Sequence, residues 1–181
     1  MHIFQPNLVY IVSQTDPALN VWDANGYAMT DAADQIADAF NWWRLWLDIG
    51  FGWGNPVTAV GIPEIETSPR NDNEAVKALL NPYFKEPFTI FLGKRERHPY
   101  GLGWGGNKIF IAYNYLTRFQ RIGTRAEILQ EAKTFIAHEL GHVMGAQHNT
   151  LSPNDVMSGN APDLSIRPYA ATMEQIGQQY R

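Results

Sequence analysis

The sequence predicts an α+β fold in which a twisted, mixed β-sheet of about four or five strands packs against two long helices. Short runs of β-branched and aromatic residues recur in the first two thirds of the chain and are typical of buried strands. Two longer stretches repeat apolar residues at intervals of about 3.6 residues, as amphipathic helices do. The chain after residue 145 follows neither pattern, so we expect a small and mostly irregular C-terminal lobe.

The composition indicates a globular protein and restricts what it can bind. Hydrophobic residues make up 45% of the 181 residues and charged residues 18%, which suffices for a buried core. Because the chain has no cysteine, any bound metal must use His, Asp or Glu ligands. The net charge of −4, without a run of Lys or Arg, argues against nucleic acid as a partner. No apolar run reaches the length of a membrane span.

The chain shows no internal repeat and no low-complexity linker, which favours a single domain over residues 1–181. We expect an N-terminal lobe over residues 1–145, with the sheet and both long helices. Residues 146–181 then form the C-terminal lobe.

The first predicted elements are a strand and a tryptophan-rich helix. Residues 7–12 (NLVYIV) are short, apolar and β-branched, as a buried strand requires. The helix has Thr30 or Asp31 as its N-cap and Gly50 as the residue that ends it. Its spacing predicts burial of one stripe of side chains, which consists of Ile36, Phe40, Trp43 and Leu47.

The next predicted elements are a weak strand and a short helix. Residues 58–66 read as a strand that Pro63 weakens. The helix follows with Asn71 or Asp72 as its cap. Asp72 and its neighbours also suggest a calcium site, but the helix cap explains them better.

Two clear strands follow, at residues 88–94 and 108–116. The segment between them, residues 95–106, is rich in glycine and too irregular for a central strand. We expect it to be an exposed loop or a bulged edge strand, whose unpaired backbone can accept another chain.

A long helix begins at the capping box formed by Thr124 and Glu127. It carries His138 and His142 and is expected to end near Gly145, a residue suited to a helix C-terminus. A short helical segment within residues 169–180 closes the chain.

The motif HELGHVMGAQH, residues 138–148, predicts a zinc site. His138 and His142 lie about one turn apart, so both imidazoles point the same way and can chelate one ion. Gly145 can adopt a positive φ and turn the chain, which brings His148 back as a third ligand. Three protein ligands leave a fourth position for water, which is typical of a catalytic zinc site. Glu139 is placed to hold that water and not to bind the ion itself.

HELGHVMGAQH fits the consensus H-E-x-x-H-x-x-G-x-x-H, and the chain resembles the metzincin metallopeptidases through it. Met157, in NDVMSG, is similar in position to the methionine of the turn beneath the metal in that family, the Met-turn. The resemblance implies a metzincin-like fold and a zinc-dependent endopeptidase with one catalytic Zn²⁺. Glu139 would be the general base for a metal-activated water, and His138, His142 and His148 would be the metal ligands.

The resemblance also implies a peptide or protein substrate that adds its backbone to a sheet edge. The residues that we assign to this edge are Gly101, Leu102, Gly103, Trp104 and Gly105. We expect a monomer. Family resemblance favours a secreted protein, although the start of the chain lacks the features of a signal peptide.

The sequence departs from the family and leaves alternatives open. Some metzincins have a tyrosine two residues after the turn methionine, where this chain has Gly159. In a rival class of zinc site, the third ligand is a carboxylate, for which the candidates are Asp155, Asp163 and Glu174. An alternative to a general endopeptidase is a zinc-binding module that is catalytically silent or acts on a single target protein.

Two histidines remain outside the motif. His2 lies near the start of the chain, and His98 precedes a proline in a polar segment. We interpret both as solvent-exposed residues without a role in the site.

Overall fold

The computed structural model describes residues 1–12, 14, 29–54, 58–68, 72–95, 101–112, 125–159 and 167–181. The strands within these residues are β1 (His2–Phe4), β2 (Pro6–Val12), β3 (Ile49–Phe51), β4 (Thr58–Gly61), β5 (Phe88–Gly93), β6 (Leu102–Trp104) and β7 (Lys108–Ala112). The α-helices are α1 (Met29–Trp43), α2 (Pro63–Thr67), α3 (Asn73–Leu80), α4 (Arg125–Val143) and α5 (Ala170–Gln175). None of the helices in this part of the chain has the length and apolar character needed to cross a bilayer.

The main sheet has five strands in the order β4-β2-β5-β7-β6. The first four strands in that order run parallel, and β6 pairs antiparallel with β7 at one edge. Central strands that are covered on both faces read as continuous apolar runs, as in residues 7–12 and 88–93. The predicted mixed sheet with two long helices is confirmed.

Helices cover both faces of this sheet. Because successive side chains point to opposite faces, Leu8 and Tyr10 of β2 belong to one apolar cluster, while Val9 and Ile11 belong to another. The first cluster joins the sheet to α1 and α4. The second joins it to α2 and α3. The long helix with the histidine motif is therefore fixed between α1 and the sheet.

Trp43, at the end of α1, connects the two long helices. Its side chain is fully buried, and the indole Nε1 donates a hydrogen bond to the carbonyl of Ala137 at 2.8 Å. Ala137 directly precedes His138 in α4. The contact therefore fixes how α4 is rotated about its axis at the point where the motif begins.

The edge strand β6 lies directly against α4. A Cβ atom on Gly103 would be 2.5 Å from the backbone oxygen of Glu139 and 3.1 Å from Cβ of His142. A Cβ atom on Gly101 would be 2.8 Å from Cγ of Glu139. Only glycine permits this close approach of strand and helix. The segment predicted as a loop or an edge strand is thus an edge strand over residues 102–104.

The prediction for the first helix is wrong at both ends. The helix begins at Met29, so Thr30 and Asp31 lie inside its first turn and do not precede it. It ends at Trp43, and Gly50 lies in β3 rather than at a helix end. The apolar residues after Trp43 resemble a continued helical stripe, but β3 pairs in parallel with β1 in a separate two-stranded sheet. Burial of an extended segment against α1 produces the same apolar spacing over so few residues.

The predicted strand over residues 58–66 is also wrong in its second half. The strand ends at Gly61, and Pro63 occupies the first turn of α2, where its missing N–H is not needed. The cap prediction for α3 is confirmed for Asp72, whose carboxylate accepts a hydrogen bond from the backbone N–H of Ala75 at 3.0 Å. This contact explains the acidic residue without calcium.

Four further predictions concern the ends of elements and the isolated histidines. The strand predicted to end at residue 116 is described only to Ala112. Thr124 and His98 lie outside the described residues. His2 is half-buried, and its ring lies 4.6 Å from the ring of Phe4 and 4.8 Å from that of Tyr180, so its predicted exposure is wrong.

Replacing Trp43 with phenylalanine should destabilise the protein by about 2 kcal/mol, because it removes the bond to Ala137 and leaves a void. Urea unfolding measures the change. The control is Trp46→Phe, because Trp46 is 39% exposed and its loss should cost less than about 0.5 kcal/mol. Equal effects of the two substitutions would contradict the assigned role of Trp43.

Replacing Gly103 with alanine should destabilise the protein by about 1–3 kcal/mol, because the new methyl group meets the backbone of Glu139. Gly52→Ala is the matched control, since a Cβ there has no atom within 4 Å, and we expect it to be neutral or slightly stabilising. A Gly103→Ala protein with the unfolding midpoint of the wild type would show that β6 does not lie so close to α4.

Candidate metal centre

The three motif histidines converge on one point. Nε2 of His148 lies 3.2 Å from Nε2 of His138 and 3.1 Å from Nε2 of His142. In the described part of the chain, these residues are the one group of three or more His, Cys, Asp or Glu side chains close enough to share an ion. Two nitrogen atoms bound to the same tetrahedral zinc ion at 2.0–2.1 Å lie about 3.3 Å apart. The observed separations are close to that value.

The hydrogen bonds of the Nδ1 atoms show that Nε2 is the nitrogen with a lone pair toward the centre. Nδ1 of His138 lies 2.7 Å from the carbonyl oxygen of Val156, and Nδ1 of His142 lies 2.9 Å from that of Ala146. A carbonyl oxygen only accepts, so each Nδ1 carries the proton and donates it. Nε2 of both rings therefore presents a lone pair. Nε2 of His148 carries one proton at most, so it can donate a hydrogen bond to only one of the other two Nε2 atoms. In at least one of the two contacts, therefore, two lone pairs face each other. A cation between the rings resolves this repulsion, and the donor set fits zinc.

Burial favours the neutral, metal-binding form of two of these rings. Burial, with a smaller contribution from neighbouring His142, lowers the pKa of His138 to about 4. Burial also lowers the pKa of His142. Neutral imidazole is the form that binds a metal ion. His148 is exposed, so the centre opens to solvent on that side.

Gly145 turns the chain between the second and third histidines. Its φ is 107°, a left-handed conformation that favours glycine. The turn is held from the C-terminal segment, where the N–H of Gly177 donates a hydrogen bond to the carbonyl of Met144 at 2.9 Å. The chain then runs back so that His148 reaches the other two rings.

Glu139, the residue directly after His138, is buried, with 5% of its surface exposed. Burial raises the pKa of its carboxyl group to about 8, and a hydrogen bond from the backbone of Gly103 opposes the rise. A cation bound by the adjacent histidines would lower this pKa again, because opposite charge favours the ionised form. Such a carboxyl group can take up a proton and return it.

Met157 packs against the motif helix at Gly141. It is fully buried, and its Sδ occupies the space that a Cβ atom on Gly141 would need. The ring of Trp43 approaches the same position, at 3.3 Å from that hypothetical Cβ. Gly141 therefore admits both side chains against the helix, between the two histidines of the pair.

Of the carboxylates considered as rival ligands, Asp155 and Glu174 do not join the group. Asp155 is buried, and its two oxygens accept hydrogen bonds from neighbouring donors, including the N–H of Met157 at 2.7 Å. Glu174 is exposed on α5. Asp163 lies outside the described residues.

The five residues of the predicted substrate edge lie in and next to β6. Leu102 and Trp104 pack over the sheet face that α2 and α3 cover. The alternate positions, Gly101 and Gly103, face Glu139 on the other side. Within the described residues, β6 pairs with β7 only, so its second edge has no strand beside it. Gly159 lies beside His148, where a Cβ would make an ordinary contact of 3.7 Å with Cγ of the ring.

Sequence reasoning missed several residues that shape the centre. The carbonyls of Val156 and Ala146 orient two histidine rings, but a backbone acceptor leaves no trace in residue type. Trp43 was predicted as a core residue, without its bond to α4. Gly141 did carry a signal, since a glycine inside a helix costs about 1 kcal/mol relative to alanine and suggests close packing.

Solved structures share this fold, although no family model and no curated protein matches the sequence. An archaemetzincin from Methanopyrus kandleri is 15% identical, with a TM-score of 0.56 over 87% of this chain and 83% of that one. A zinc-dependent peptidase from Methanocorpusculum labreanum is 14% identical, with a TM-score of 0.55 over 97% and 100%. Mirolysin from Tannerella forsythia, solved with a cleaved peptide, is 14% identical, with a TM-score of 0.51 over 90% and 70%. At these identities the likeness shows the fold alone, which this chain has in common with these three proteins.

Proposed function

We propose that the chain is a zinc-dependent endopeptidase of the metzincin type. The observation that carries the proposal is the convergence of three imidazole Nε2 atoms, with the buried carboxyl group of Glu139 on the helix that carries two of them. Two of the structures with this fold are described as an archaemetzincin and a zinc-dependent peptidase. Their names support the proposal, and the chemistry of the donor set supports it independently.

His138, His142 and His148 are the residues that would hold the ion, through Nε2 in each ring. Zinc, when bound, supplies Lewis acidity, which polarises a carbonyl group and makes a water molecule more acidic. The protein contributes the orientation of the rings, because Nδ1 of the first two is tied to the backbone. Such outer contacts keep the ligands in the neutral tautomer that binds metal.

Glu139 acts as the general base in this proposal. Its position one residue after His138 puts the carboxyl group beside the centre, and the N–H of Gly103 holds it there. The carboxylate accepts a proton from the attacking water and then passes it to the amine that leaves. Burial excludes competing water from this carboxyl group, which strengthens its interaction with charge that develops nearby.

The open edge of β6 is the proposed place for the substrate. An extended peptide that pairs with this edge would lie beside the helix that carries Glu139. Gly101 and Gly103 place no side chain between the edge strand and the helix. Mirolysin, which shares the fold, was solved with a cleaved peptide, and this supports a peptide as the class of substrate.

Met157 is the proposed Met-turn residue. Its buried side chain packs against Gly141, between the two histidines of the pair, and would support them from below. The role is structural, since a thioether is a weak ligand for this site and packs well in irregular space.

Replacing Glu139 with glutamine should lower the rate of peptide cleavage at least about 100-fold, because an amide cannot take up the proton. Zinc content should stay at about one ion per chain, because the histidines are unchanged. Cleavage of a broad peptide library and metal analysis of the same preparations measure the two properties. Glu174→Gln is the matched control on an exposed position and should retain activity.

A wild-type protein that binds zinc but cleaves nothing in the library would contradict the endopeptidase proposal. That outcome would favour the silent or single-target zinc module. Equal cleavage by wild type and Glu139→Gln would instead show that another group acts as the base.

Replacing His148 with alanine should weaken zinc binding by more than about 100-fold. The loss of a residue that only hydrogen-bonds to a metal ligand weakens binding about 10–100-fold, and the loss of a ligand itself should weaken it more. Competition with a chromophoric chelator measures the affinity. His2→Ala is the control, since that ring packs against Tyr180 and takes no part in the centre. Unchanged affinity in His148→Ala would revive a carboxylate as third ligand.

A further inference from the structure

We propose that Asp155 is a positioning residue for the metal centre. Its buried carboxylate fixes the carbonyl group that orients His138, and it holds the chain next to His148. The inference rests on the proposed function, since it concerns how well the same centre binds zinc. The sequence made Asp155 a rival candidate for the third metal ligand, but both of its carboxylate oxygens accept hydrogen bonds from other groups. It therefore acts on the centre through its neighbours.

The carboxylate of Asp155 is fully buried and accepts four hydrogen bonds. Among the described residues, no Lys or Arg side chain forms an ion pair with it. A buried charge without a cationic partner must be stabilised by hydrogen bonds, which are stronger to an ionised acceptor than to a neutral one. The four donors are the backbone N–H groups of Met157 and Tyr169, the Thr172 hydroxyl and the Asn149 amide, at 2.7, 3.0, 2.9 and 3.3 Å.

The first connection leads to His138. Oδ1 of Asp155 accepts the N–H of Met157 two residues later, which closes a tight turn by a side chain. Val156 lies between them, and its carbonyl accepts the Nδ1–H of His138 at 2.7 Å. The turn thus fixes the direction of the carbonyl that orients this ligand.

The second connection leads to His148. Oδ2 of Asp155 accepts the side-chain amide of Asn149, the residue directly after His148. The backbone N–H of Asn149 also donates to the carbonyl of Met157 at 2.8 Å. Two hydrogen bonds therefore hold the chain beside the third ligand to the turn that Asp155 closes.

The third connection anchors the turn to the rest of the protein. Thr172, in α5, is 1% exposed and donates its hydroxyl proton to Oδ2, while the N–H of Tyr169 donates to the same oxygen.

The test is Asp155→Asn, which keeps the shape of the side chain. Whichever way the amide is oriented, its NH₂ group faces at least one donor, because both oxygens accept hydrogen bonds in the wild type. We expect zinc affinity to fall by about 10–100-fold, as for other outer partners of metal ligands. Chelator competition on folded protein measures the affinity, and the Co²⁺ absorption spectrum should change because ring orientation changes.

Val76→Ala is the control for a purely structural effect. Val76 is buried in the cluster on the opposite face of the sheet, so its truncation destabilises the fold without touching the centre. Its zinc affinity and Co²⁺ spectrum should match those of the wild type. If Asp155→Asn does not fold, Asn149→Ala removes one of the connections at a half-buried position and should weaken zinc binding by about 3–10-fold.

An affinity within about twofold of the wild type, in folded Asp155→Asn or else in Asn149→Ala, would overturn this inference while leaving the proposed zinc site intact. A similar loss of affinity in Val76→Ala would overturn it too, because the effect would then follow from stability alone. A wild-type protein that takes up no zinc contradicts the proposed function itself and removes the basis for a positioning role.

Discussion

The meeting of three imidazole Nε2 atoms, with that of His148 about 3.2 Å or less from each of the other two, is the constraint on which the rest of the structure depends. Such a group is stable only if a cation sits between the rings or the surrounding protein holds them there. The fold supplies that hold from separate parts of the chain. Trp43 fixes the rotation of the motif helix, Gly145 returns the chain to it, and the carbonyl of Val156 orients the first ring.

Glycine makes the close packing around the centre possible. Gly141 gives Met157 access to the helix from below, and Gly103 gives the edge strand access from the side. The strand thereby reaches the backbone at Glu139 and donates a hydrogen bond to its carboxyl group. The same packing that buries Glu139 also leaves one edge of β6 without a neighbouring strand in the described residues. The burial of Glu139 and the open strand edge thus arise from one arrangement.

Sequence patterns predicted what depends on local spacing. The one-turn separation of His138 and His142 and the turn at Gly145 follow from helix geometry, and the buried strands follow from their apolar runs. Features that depend on long-range contacts were missed. The pairing of β1 with β3 was read as the end of a helix, because apolar spacing alone does not separate the two over a few residues. Asp155 was a rival candidate for the third ligand, since a carboxylate near histidines has the same residue type in either role.

The central claim is that three histidines, and no carboxylate, bind zinc in this fold. X-ray absorption at the zinc edge of the metal-loaded wild-type protein tests it most directly, because imidazole rings give a characteristic outer-shell scattering. We predict three imidazole ligands, each with its nitrogen about 2.0–2.1 Å from zinc, and one further light atom bound to the ion. A spectrum that requires a protein carboxylate, fewer than three imidazoles, or no stoichiometric zinc at all would contradict it.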